Sequence, residues 1–67
     1  MYVVFWFIPA NESGEAFCTT RKAAERMFEN YCRQNRESFV YLCPCSVVDG
    51  IVIPDWGKPI RERKGVD

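Results

Sequence analysis

Residues 2 to 8, Tyr2-Val3-Val4-Phe5-Trp6-Phe7-Ile8, are apolar without interruption. In a strand, successive side chains point to opposite sides, so Val3, Phe5 and Phe7 share one face while Tyr2, Val4, Trp6 and Ile8 share the other. A half-buried strand alternates apolar and polar positions, whereas a run like this one calls for burial on both faces. Pro9 lacks a ladder donor and ends it. The polar, turn-rich stretch Asn11-Glu12-Ser13-Gly14-Glu15 then reads residues 9 to 18 as a connection.

From about Thr20 to Gln34 the period changes to that of a helix. Ala24, Met27, Phe28 and Tyr31 form an apolar stripe flanked by Ala23 and Cys32, and Lys22, Arg26, Glu29 and Arg33 lie opposite. Thr19 or Thr20 is the expected N-cap. The stretch Asn35-Arg36-Glu37-Ser38 ends the helix without a glycine. A second strand follows at Phe39-Val40-Tyr41-Leu42-Cys43, interrupted by Pro44 and resuming as Cys45-Ser46-Val47-Val48. Asp49-Gly50 is a type I′ hairpin signal that returns the chain as Ile51-Val52-Ile53.

The chain therefore reads as α+β. One helix packs on a three-stranded, largely antiparallel sheet in the order β-α-β-β, with the first strand most simply an edge. Residues 1–60 form a single domain and 61–67 a charged, frayed tail. One helix can shield only one face of such a sheet. The other must be covered by the tail, through Trp56 of Pro54-Asp55-Trp56-Gly57-Lys58-Pro59 and by Ile60, or by something outside the chain.

Composition narrows the function. A chain of 67 residues, 48% hydrophobic and 15% aromatic, can build a core but sits near the margin of independent stability. Its nine basic and nine acidic residues cancel, which disfavours nucleic acid as the main partner, since phosphate neutralisation normally dominates that affinity. No stretch approaches the roughly 20 apolar residues that span a bilayer, so no membrane partner is expected. The first residues lack a basic n-region and a small-residue cleavage site, so a cytoplasmic location with reduced cysteines is expected.

The chain has no histidine, which removes the commonest general base and every histidine-activated nucleophile. No enzymatic activity and no cofactor are expected. The four cysteines, Cys18, Cys32, Cys43 and Cys45, could in principle hold zinc, but paired zinc ligands normally stand two to four residues apart, and Cys43-Pro44-Cys45 does not. They read as small buried apolar residues, and a zinc-stabilised binding module is the lesser alternative.

What remains is surplus sticky surface. The expected function is a small non-catalytic protein that binds a larger protein or complex, as an inhibitor or modulator of the kind that viruses and mobile elements direct at host machinery. The candidate contacts are Tyr2, Val4, Trp6 and Trp56, with the helix cations Arg21, Lys22, Arg26 and Arg33. Strand 1 could also pair with its own copy across a two-fold. The alternative is a homodimeric nucleic-acid-associated protein that uses those helix cations with Arg61, Arg63 and Lys64 of the tail.

Overall fold

The apolar run forms strand β1 (Tyr2–Phe7), and it lies inside the sheet rather than at its edge. The computed structural model describes residues 1–34 and 36–65. Asn35, at the expected helix end, and Val66 and Asp67 of the expected tail lie outside the described residues. The segment expected to be a plain connection supplies a further strand, β2 (Ser13–Cys18), which pairs antiparallel with β1 from Tyr2↔Cys18 to Phe7↔Ser13. The turn between them is closed by Ile8 N–H donating to the Glu12 carbonyl at 2.8 Å, and it places Ala10 at φ 59°. On its other side β1 pairs antiparallel with β3 (Phe39–Val48), from Tyr2↔Pro44 to Phe7↔Phe39. Strand β1 is thus central, which removes the hazard of an apolar edge by hydrogen-bonding both of its sides.

Strand β3 runs straight through Pro44. The Cys45 N–H donates toward β1, to the Met1 carbonyl, and the Pro44 carbonyl accepts from Asp55 N–H on the far side. Backbone groups alternate in direction along a strand, so the donor that Pro44 lacks would have pointed away from β1. There the ladder breaks. Strand β4 (Ile51–Pro54) pairs with the outer half of β3, from Val48↔Ile51 to Cys45↔Pro54. Residues 55–60 then leave the sheet, and β5 (Arg61–Arg63) rejoins β3 at Leu42↔Arg61 through Val40↔Arg63. The tail expected to fray from residue 61 therefore begins as a paired strand. The result is a five-stranded sheet, with β4 and β5 sharing one flank of β3. The three-stranded β-α-β-β order becomes β-β-α-β-β-β, still one helix on an antiparallel sheet.

The turn at Asp49-Gly50, with φ 51° and 78°, has the left-handed geometry of a type I′ hairpin. Helix α1 (Arg21–Gln34) starts where the sequence places it, the Thr20 hydroxyl accepting from Ala23 N–H at 3.2 Å. Its stripe meets the Tyr2, Val4 and Trp6 face of β1. Val4, Cys18, Ala24, Phe28, Val40 and Leu42 form the buried cluster, with Tyr2, Trp6, Met27, Tyr31, Cys32 and Ile60 around it. Strand β2 offers the helix side only Gly14, Ala16 and Cys18, small enough for the helix to approach closely.

The basic residues of β5 serve this packing. Arg61 pairs with Glu29 at 2.7 Å and Glu25 at 3.7 Å while its guanidinium lies 4.4 Å from the centre of the Phe28 ring. Arg63 donates to the Cys32 carbonyl at 2.8 Å, placing a cation at the C-terminal end of α1, where the macrodipole favours one. It also donates to the Ser38 carbonyl and hydroxyl at 2.8 and 2.9 Å.

Candidate functional site

With the helix on one side, the opposite face of the sheet carries Val3, Phe5 and Phe7 of β1, Phe39, Tyr41, Cys43 and Cys45 of β3, and Phe17 of β2. Val3 and Cys43 are fully buried even so. The excursion between β4 and β5 lies on this side, and its Trp56 meets Phe5 edge-on at a centroid distance of 5.6 Å. Beside them Phe7 stacks on Phe39 at 4.9 Å and on Tyr41 at 6.3 Å. The rings cover one another only in part. Trp56 is 50% exposed and Phe17 48%, and Phe5, Phe7, Phe39 and Tyr41 are half-buried.

The face continues onto the hairpin. Val47 and Val52 point to the aromatic side, and Val48, Ile51 and Ile53 to the other. Among the described residues no strand flanks the hairpin beyond the end of β1, and β4 packs chiefly against β3. Val47, Val48, Ile51 and Ile53 are all about half exposed or more. The molecule measures 40 × 24 × 17 Å, drawn out beyond the proportions of a sphere. An apolar arm bare on both sides, next to an incompletely covered aromatic face, is more than scattered surface apolar residues.

The charged groups at the strand positions of this face share one sign. Its strand positions include Glu15 on β2 and Glu62 on β5 and no lysine or arginine. Burial pushes the Cys43 thiol above its ordinary pKa, and Cys45, Asp55 and Glu62 add to the effect. Lys64 lies off the strands, and Lys58 belongs to the excursion that carries Asp55 and Trp56.

The candidates read from the sequence distribute unevenly. Val4 is fully buried beneath the helix and is not available as a contact. Tyr2 and Trp6 are half-buried on that same side, Trp6 against Tyr31 at 5.7 Å. Pairing of two copies through strand 1 has no free edge to use, because β2 and β3 occupy both. Trp56 is both folded back and half exposed. Arg21, Lys22, Arg26 and Arg33 are exposed on the helix, whereas Arg61 and Arg63 are held in the intramolecular contacts described above.

A shallow groove along the helix mixes Lys22, Arg26, Arg33 and Arg61 with Glu25 and Glu29, which offset the cations. A cleft of about 200 Å³ between the end of β1 and the end of α1, lined by Trp6, Ile8, Glu12, Tyr31, Gln34 and Ser38, is smaller than usual ligand pockets. Among the described residues the cysteines are free thiols, and no three cysteine or carboxylate side chains gather as a metal site would require. No helix among them is long and apolar enough to cross a membrane. The sequence reading missed Phe17, Glu15 and Glu62, because their common face exists only once β2 and β5 are recognised as strands.

No protein-family model matches the chain, and searches of curated proteins and of solved structures return no significant match.

Proposed function

We propose that this protein is a non-catalytic binding module whose working surface is the open aromatic face together with the hairpin arm. The observation that carries this reading is the half exposure of Trp56, Phe17 and Val47 on the aromatic face, continued by Val48, Ile51 and Ile53 on the other side of the hairpin arm, while the helix closes only the part of its face over β1, β2 and the first half of β3. Aromatic residues with few charges at the centre are what protein interfaces enrich. The acidic character of the face disfavours nucleic acid, whose stacking platforms sit in positively charged grooves. Inhibition or modulation of a larger complex would follow from occupying a functional surface of that partner. A homodimer formed by strand pairing would use the outer edge of β2, β4 or β5.

The test is capture by the intact chain, with light scattering on the purified protein. Trp56→Ala, Phe17→Ser and Ile51→Thr should each abolish capture of a partner that Arg26→Ala and Arg33→Ala leave intact. Capture that is lost with the helix variants and kept with the sheet variants overturns the proposal. So does a monomer that captures nothing.

A further inference from the structure

The registers of four strands line up one row of side chains across the aromatic face. Glu15 of β2 stands opposite Phe5 of β1, Phe5 opposite Tyr41 of β3, and Tyr41 opposite Glu62 of β5. Read across the strands, the row is carboxylate, ring, ring, carboxylate. Three interstrand steps of about 4.8 Å separate its ends by about 14 Å. Both glutamates are exposed, and neither has an ion-pair partner among the described residues. Trp56 stands edge-on to Phe5, so a third ring borders the row.

We propose, resting on the reading of this face as the binding surface, that the row receives an extended partner segment of the form Arg-x-apolar-x-Arg, laid across the strands. Charge complementarity identifies the occupant. Two carboxylates bracketing an apolar centre fit two cations bracketing an apolar side chain. In an extended segment, residues i, i+2 and i+4 point the same way, and i and i+4 lie about 14 Å apart, the span of the row. Arginine fits better than lysine because a guanidinium can stack on a ring while pairing with a carboxylate in its plane. A second copy of the chain is a weaker occupant. Four of its exposed cations, Arg21, Lys22, Arg26 and Arg33, lie on the helix, and a helix-to-sheet contact between copies would be heterologous and prone to open-ended assembly.

The experiment is an NMR titration of the isotope-labelled full chain with two capped peptides of equal composition, one containing Arg-Thr-Leu-Thr-Arg and one containing Arg-Arg-Thr-Thr-Leu. A third peptide replaces both arginines of the first by lysine, and oligouridylate serves as a nucleic-acid probe. The first peptide should shift the amides of Phe5, Glu15, Tyr41 and Glu62. It should bind roughly two- to fivefold tighter than either other peptide, and Glu15→Gln and Glu62→Gln should each weaken it by a similar factor. Equal binding of the two arginine peptides, shifts confined to the helix, no shifts at millimolar peptide, or tighter binding of oligouridylate would each overturn the proposal. If capture depends on Trp56 and Phe17 while the spaced peptide shows no preference, the arginine motif falls and the binding module stands. If capture also fails, both fall.

Discussion

The indole of Trp6 lies directly over Gly14, its cross-strand partner, so closely that a Cβ placed on Gly14 would fall 2.8 Å from the ring. The glycine is thus a packing requirement, and its own φ is not in the left-handed region. The same indole meets Tyr31 of the helix, so any displacement passes to the contact between α1 and the sheet. Gly14→Ala should therefore destabilise the fold by about 1–3 kcal/mol, as overpacking does. Urea unfolding checks this, and a midpoint equal to that of the parent chain would refute it.

Ala10 offers the opposite outcome. It holds φ 59° in the exposed turn between β1 and β2, where a side chain is strained and glycine is not. Ala10→Gly should raise stability by up to about 1 kcal/mol, with the relieved strain outweighing the added freedom of the unfolded chain. Thermal melts of the two proteins give the comparison.

Arg63 ties together the helix end, the loop that follows it and the last strand. Its guanidinium serves the Cys32 carbonyl and both oxygens of Ser38, a residue that is 2% exposed. Removing it leaves buried acceptors short of a charged donor. Arg63→Ala should cost about 1.5–3 kcal/mol. Arg63→Lys should recover only part of that, because an ammonium does not reproduce a planar fork reaching several oxygens. Amide hydrogen exchange across residues 30–34 should quicken in the alanine variant, and full recovery by lysine would show that charge alone matters.

The helix, its Thr20 cap and the Asp49-Gly50 turn were legible because each rests on local chemistry: a period, a hydroxyl three residues from its donor, a dipeptide tolerant of left-handed φ. Strand β2 was not. Gly14, Glu15 and Ala16 have low strand propensity, and for Gly14 and Ala16 only the tertiary requirement for small residues on the helix side explains them. Strand β5 was hidden for a related reason: Arg61 and Arg63 look like solvated tail charges until the helix supplies their partners. The double-faced burial of β1 was legible, yet its position was not, because hydrophobicity reports what a strand touches above and below and not which neighbours flank it. The row from Glu15 to Glu62 inherits both omissions.

The thiols carry a pH signature. Burial raises the pKa of Cys43 first, with Cys45, Asp55 and Glu62 adding to it. Burial also raises Cys45 against the lowering by the amino terminus, and Cys32 against the lowering by Arg63 and Arg61. A pKa raised in the folded state means that folding favours the protonated thiol. That stability is present in full below the unfolded thiol value of about 8.5 and is lost as pH climbs through the folded value. The urea midpoint should accordingly fall as pH rises above about 9, and less so in Cys43→Ala. Iodoacetamide should label Cys43 more slowly in the native protein than in urea at neutral pH, and equal rates would contradict the burial.

The hairpin arm separates stability from binding. Ile51 is 64% exposed and Ile53 48%, on strand β4, which packs chiefly against β3. Truncating side chains so placed should change stability by about 0.5 kcal/mol or less, whereas Leu42→Ala, which empties a fully buried position, should cost about 2–5 kcal/mol. Threonine keeps the β-branched shape that strands favour while removing apolar surface. Ile51→Thr combined with Ile53→Thr should therefore leave the melting temperature nearly unchanged and sharply reduce any concentration-dependent growth in mass by light scattering. If the double variant instead melts like Leu42→Ala, the arm is part of the core and its exposed residues serve the fold.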